Sequence, residues 1–133
     1  MKRNIVLLMI FALISLTACQ QQAAKSETPS EIKQISVEQT KIIVEKDDVQ
    51  FIDVRMDSEF KGGHAPKAVN IPLDSLEQTL AQLDKSKPVY LICQTGRRSQ
   101  IGAEILQKNG FQTIFNVEGG TSAWRNAGLP IEN

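Results

Sequence analysis

The chain has 133 residues, enough for one domain, and its fifteen Lys and Arg balance fifteen Asp and Glu. A formal net charge of zero builds no polyanion-binding surface, so nucleic acid is not an expected partner. Hydrophobic residues at 41% and charged residues at 23% are ordinary for a globular domain, while two Cys and one His exclude both a disulfide scaffold and a four-ligand structural zinc site.

At the start of the chain, Lys2 and Arg3 precede an apolar run from Ile5 to Ile14, with small residues after it. That order describes an export signal, and the run is shorter than the roughly 20 residues that span a bilayer. Leu16-Thr17-Ala18-Cys19 resembles the bacterial lipoprotein processing box, in which cleavage falls before the Cys. The resemblance implies a signal peptide over residues 1–18 and lipid attachment at Cys19. Acyl chains, palmitate among them, on both its sulfur and its amine would give the more than one chain that stable anchoring needs. The alternative is ordinary cleavage that leaves Cys19 a free thiol. The expected location is therefore that of an exported bacterial lipoprotein, held on a membrane and facing the periplasm or the cell exterior. Loss of Lys2 and Arg3 leaves 13 basic residues against 15 acidic, a net charge of −2. Residues 19–32 are polar and read as a flexible tether to a domain over residues 33–133.

The domain alternates strand and helix. A first strand is expected around Ile35, and Ser36 with Gln39 has the spacing of a capping box for a helix over Val37 to Glu45. Val49 to Val54 is a buried strand by its apolar, β-prone run. Asp57 to Phe60 forms a helical turn that Gly62-Gly63 breaks. Ala68 to Ile71 is a short strand stopped by Pro72. Asp74 and Glu77 have the spacing of a second capping box, and Leu76, Leu80 and Leu83 form one face of the helix that follows. Pro88 to Cys93 lacks polar alternation, as a central parallel strand covered on both faces should. Ile101, Ala103, Ile105 and Leu106 supply the apolar content of a helix that stops at Asn109-Gly110. Thr113 to Val117 is the last strand, and Gly119-Gly120 turns the chain into a short helix around Trp124. The pattern predicts an α/β domain with a mostly parallel sheet of about five strands and helices on both faces.

Ligands gather at the carboxyl ends of strands in such folds, and the most buried strand ends at Cys93-Gln94-Thr95-Gly96-Arg97-Arg98-Ser99. A thiol there meets the N–H groups and positive dipole end of the next helix, which favour thiolate. Arg97 and Arg98 add positive charge. Gly96 lets the backbone curl its N–H groups inward as an anion-binding nest, and Ser99 is expected to cap the helix. The expected product is a shallow anion cradle with a nucleophilic sulfur at its floor.

Residues Cys93 to Arg98 resemble the six-residue active-site loop of rhodanese-like sulfurtransferases. Phe51-Ile52-Asp53-Val54-Arg55 with Glu59-Phe60, and Gly63-His64-Ala65-Pro66-Lys67-Ala68-Val69-Asn70-Ile71-Pro72, resemble that family's first signature. Asn116-Val117-Glu118-Gly119-Gly120 with Trp124 and Gly128-Leu129-Pro130 resemble its closing one. One departure is Lys67, where the family commonly has Gly, which could alter a surface turn. The resemblance implies the three-layer rhodanese-like fold and catalysis by Cys93. Gln94, Thr95, Gly96, Arg97, Arg98 and Ser99 would bind substrate, and Asp53 and Arg55 would support the site through ion pairs. Related phosphatases and arsenate reductases place Arg six positions after Cys; here that position is Ser99, and the tighter loop suits the terminal sulfur of a persulfide.

The implied reaction is ping-pong. Cys93 takes sulfane sulfur from a small anionic donor such as thiosulfate and passes it to a thiol or cyanide, without metal or organic cofactor. A non-catalytic sulfur-carrier or redox-sensing module is the alternative. His64 is expected to fix a turn rather than act as a base, Trp124 to pack the core, and Glu118 is assigned no role.

Overall fold

A computed structural model describes residues 29–133; the expected signal peptide and Cys19 lie outside them. Five strands run β1 Ile32–Ile35, β2 Gln50–Asp53, β3 Val69–Asn70, β4 Val89–Ile92 and β5 Ile114–Val117. The helices are α1 Val37–Lys46, α2 Asp57–Lys61, α3 Leu73–Thr79, α4 Arg97–Lys108 and α5 Gly120–Asn126. The sheet order is β1-β5-β4-β2-β3 and every pairing is parallel. No helix of the described residues is long and apolar enough to cross a membrane.

All four residues of β4 are buried, as its unbroken apolar run requires. Side-chain alternation sends Val89, Leu91 and Cys93 to the face packed with Leu76 of α3 and Ala103 and Leu106 of α4. Tyr90 and Ile92 go to the other face, with Val37 and Val44 of α1 and Trp124 of α5. Two cores thus sandwich one sheet, and strand period alone decides that the Cys93 side chain emerges beneath α4.

In α1 half of the expected capping box forms: the Ser36 hydroxyl accepts from the Gln39 N–H at 3.3 Å, with no return bond from the Gln39 side chain among the described residues. The second capping box does not form. Helix α3 begins at Leu73, with Pro72 as its cap: the Pro72 carbonyl accepts from the Ser75 N–H at 2.8 Å, and the Leu73 N–H, free of the helix, bonds the Val54 carbonyl at 3.1 Å. Asp74 therefore lies inside the first turn. Leu80 opens a single 3₁₀ turn, Leu80–Gln82, in place of a longer α-helix; Leu80 and Leu83 still pack on the core. Within the range expected for the tether, β1 starts at Ile32 and the Ser30 hydroxyl donates to the Phe111 carbonyl at 2.7 Å.

Lys67 is the only non-glycine residue with positive φ among the described residues, at 69°. The Ala68 N–H closes on the Ala65 carbonyl at 3.2 Å, so Pro66 and Lys67 are the central residues of a turn. Pro followed by a residue of positive φ is the type II pattern, whose second central position favours Gly. A side chain costs about 1–2 kcal/mol there, against about 0.5–1 kcal/mol of extra backbone entropy for Gly. Lys67→Gly is expected to stabilise the domain by about 0.5 kcal/mol, raising its Tm by a few degrees in a thermal melt.

Candidate active site

The loop after β4 is built by two sets of hydrogen bonds that point in opposite directions. On its outer side, the Cys93 carbonyl accepts from the Thr121 N–H at 2.7 Å and from the Thr121 hydroxyl at 3.1 Å. The Gln94 carbonyl accepts from the Ser122 N–H at 3.1 Å, and the Gln94 side-chain amide donates to the Ser122 hydroxyl at 2.9 Å. The first turn of α5 therefore holds the loop's carbonyls outward. Gly120 makes the approach possible: with φ of 58°, a Cβ there would fall 2.3 Å from the Cys93 oxygen.

On the inner side, Gly96 turns through φ of 96° and its N–H donates to Cys93 Sγ at 3.1 Å. The Ser99 hydroxyl donates to the same sulfur at 3.4 Å. Here the expectation for Ser99 is corrected. Left-handed Gly96 is the N-cap of α4, and Ser99, fully buried in the first turn, bonds the sulfur instead of capping the helix. Burial pushes the Cys93 thiol up, but the Ser99 hydroxyl and the N–H groups of Ser99, Thr95 and Gly96 outweigh it, and the thiol lies below its ordinary value. These hydrogen bonds, more than guanidinium charge, favour the thiolate. Cys93 is a free thiol, 1% exposed.

Two ion pairs frame the loop. Arg55 Nη2 lies 2.7 Å from Asp53 Oδ2 and its Nε 3.0 Å from both carboxylate oxygens, with both residues buried. The same guanidinium reaches the Gly63 carbonyl at 3.0 Å and Gln94 Oε1 at 3.5 Å, which ties the end of β2 to the loop. The Asn70 amide donates to the carbonyls of Asp53 and Arg55 at 2.9 and 2.8 Å, fixing that corner from β3.

Arg98 is less available than the sequence implied. Both of its terminal nitrogens donate to Glu59, each at 2.7 Å, in a two-pronged pair. The Arg98 hydrogen bond, aided by the Met56 N–H, overcomes desolvation and holds the Glu59 carboxyl at about 2, against an ordinary 4.5. Arg97 is exposed and makes no hydrogen bond or ion pair among the described residues. A cavity of about 280 Å³ opens against the loop, lined by Gln94, Thr95, Arg97, Arg98 and Ile101.

The remaining candidates sort by contact. His64 Nδ1 faces the Phe60 carbonyl at 3.0 Å, and the ring stacks on Phe60 with centroids 3.7 Å apart; its backbone pairs with Glu132. It fixes a turn. Trp124 is buried against Phe51 and donates to the Pro130 carbonyl at 2.8 Å. Glu118 is exposed. Glu59, Gly120, Thr121 and Ser122 are the site residues that sequence reasoning left without roles. Glu59 and Gly120 stood inside the recognised signatures, but their partners are remote in sequence.

The Rhodanese-like domain family matches residues 36–127. The chain belongs to the rhodanese-like family. This rhodanese-like chain is 34% identical over 98 residues to the thiosulfate sulfurtransferase GlpE of Shewanella oneidensis, covering 74% of this chain and 97% of that one. It is 37% identical over 100 residues to the putative sulfur carrier protein YrkF of Bacillus subtilis, covering 74% of this chain and 54% of YrkF. A crystal structure of a rhodanese-like domain protein from Staphylococcus aureus superposes with a TM-score of 0.65 at 36% identity, covering 77% of this chain and all of that one. The expected fold is thereby established.

Ser99→Ala removes one donor from the sulfur. The pH midpoint for iodoacetamide alkylation of Cys93 is expected to rise, with the rate at pH 7 falling about threefold to tenfold; an unmoved midpoint would contradict the assigned bond. Glu59, depressed below its unfolded value, should contribute fully above pH 4.5 and lose its contribution as pH falls through about 2. NMR titration of its carboxyl carbon checks this, and Arg98→Ala should return the midpoint toward 4.5.

Proposed function

We propose that this rhodanese-like domain is a sulfurtransferase whose nucleophile is Cys93. The observation that carries the reading is the convergence of the Gly96 N–H and the Ser99 hydroxyl on Cys93 Sγ. Cys93 thiolate attacks the sulfane sulfur of a donor such as thiosulfate. The donor's S–S bond breaks, sulfite leaves with the bonding pair, and a Cys93 persulfide forms. The inward N–H groups hold the negative charge of the persulfide as they held that of the thiolate. A thiol or cyanide then attacks the outer sulfur, a new bond to that sulfur forms, and Cys93 thiolate is regenerated. The two-pronged pair with Glu59 occupies Arg98, which disfavours phosphoryl transfer, where a free guanidinium would clamp the oxygens.

A second reading is a sulfur carrier that accepts sulfur without turnover. The likeness to YrkF favours it. Intact mass after incubation with thiosulfate should rise by one sulfur atom, and Cys93→Ser should show no gain. Thiocyanate formed catalytically from added cyanide supports the transferase; a stable persulfide with no turnover supports the carrier; no sulfur gain sinks both.

For the N-terminal segment we propose processing before Cys19 and lipidation there, which would hold the domain on a membrane facing the periplasm or the cell exterior. The support is the box Leu16 to Cys19 behind a basic, apolar leader. Cells fed labelled palmitate should label the full chain, and Cys19→Ser should abolish the label; equal labelling of both would refute the assignment.

A further inference from the structure

One buried polar side chain lies behind the loop. Asn116, on β5, is 4% exposed and shares with Ile114 the face of the sheet that α4 covers. Its amide nitrogen donates to Gln34 Oε1 at 2.9 Å, to the Gly96 carbonyl at 3.2 Å and to Gln100 Oε1 at 3.3 Å. The direction of these bonds is set from both ends. A backbone carbonyl can only accept, and the Gln100 amide nitrogen is turned outward to Glu104 Oε1 at 3.2 Å, which leaves the Gln100 oxygen facing inward. The Gln34 amide nitrogen donates to that oxygen at 3.1 Å, so Gln34 also presents its oxygen to Asn116. Asn116 Oδ1 is then the one buried side-chain nitrogen or oxygen with no hydrogen-bond partner among the described residues. An orphan acceptor is a cost that an apolar residue would avoid, so the position is held for its donor.

Gly96 needs that donor for a conformational reason. Its φ is 96°, and glycine populates positive and negative φ about equally, so the residue itself does not hold the turn. The Gln100 N–H reaches the Gly96 carbonyl at 3.1 Å as the first bond of α4, and the Asn116 amide adds a second donor from β5. The carbonyl and the N–H of Gly96 belong to successive peptide planes hinged at one Cα. Holding the first plane from both α4 and β5 restrains the second, whose N–H reaches Cys93 Sγ at 3.1 Å. We infer that Asn116 is a positioning residue: from β5 it keeps Gly96 in the left-handed turn that aims the Gly96 N–H at Cys93 Sγ. It acts through Gly96 and not on the sulfur. The inference deepens the proposed sulfurtransferase reading, because the same N–H steadies the attacking thiolate, and its test reads the thiol itself.

Asn116→Leu keeps the branched outline and removes the donor. In the full chain, the pH midpoint for iodoacetamide alkylation of Cys93 should rise by about half a pH unit, a roughly threefold weaker ionisation of the size a neutral hydrogen bond gives. By NMR, the Gly96 amide proton should shift as Cys93 titrates in the wild type and lose most of that amplitude in the variant. A variant that melts at a lower temperature yet keeps the wild-type midpoint and Gly96 amplitude would make Asn116 a packing residue only and overturn the positioning role. So would a variant indistinguishable from wild type in melting, midpoint and amplitude. If Asn116→Leu does not fold, Asn116→Val, a smaller apolar residue suited to a strand, carries the same expectations and the same refutations. Neither readout requires sulfur transfer. A wild type that gains no sulfur from thiosulfate would therefore end the sulfurtransferase reading and leave the positioning role standing, whereas unmoved readouts would do the reverse.

Discussion

A peptide group can aim its N–H into a site only if something else satisfies its carbonyl. In this loop that something is the start of α5. Thr121 and Ser122 take the carbonyls of Cys93 and Gln94, and the Gln94 carbonyl shares its peptide with the Thr95 N–H, which faces the sulfur beside the Gly96 N–H. The arrangement depends on Gly120, because any side chain there would collide with the Cys93 carbonyl. The electrostatics of the thiol are thus set by a residue on another helix that never touches the sulfur.

Two ion pairs hold this arrangement, and they differ in kind. Asp53 and Arg55 are fully desolvated, so their attraction is strong and the cost of breaking them is high: removing one partner leaves a buried charge, typically about 3–5 kcal/mol. Arg55 also bonds the Gly63 carbonyl, which closes the corner after α2. Glu59 and Arg98 keep about a third of their side-chain surface in water, at 33% and 35%. Solvent screens that pair, and its value is geometric more than energetic. It pins the N-terminal turn of α4 to α2 and sets which arginine remains free at the mouth.

Much of this was legible in the sequence where the governing signal is local. The run from Pro88 to Cys93 needed no partner to read as a central strand, because a strand buried on both faces must be apolar throughout. Ser36 and Gln39 announced α1 for the same reason. Ser99 misled because hydroxyls favour helix caps, and only the left-handed turn at Gly96 moves the helix start three residues earlier. Glu59 was quoted in a signature, yet nothing local said that it would reach Arg98; that pairing comes from α2 and α4 meeting across the fold. Asp74 lost its cap role because the helix starts one residue earlier, with the Pro72 carbonyl already taking the Ser75 N–H. What sequence spacing misses is chiefly which backbone groups are already spent on distant partners.

The balance at Cys93 bears on reactivity as well as ionisation. Burial disfavours the thiolate while the collar of donors favours it, and the outcome lies below the ordinary thiol value. A thiolate loses intrinsic nucleophilicity as its pKa falls, with a Brønsted coefficient of about 0.4–0.5. The collar acting alone would push the thiol further down and cost it nucleophilicity, and burial alone would push it up. Because the two oppose each other, the thiol moves down from its ordinary value with burial restraining the shift, and less nucleophilicity is lost on the way. In the proposed transfer the same donors would face a persulfide, whose charge sits one atom farther out.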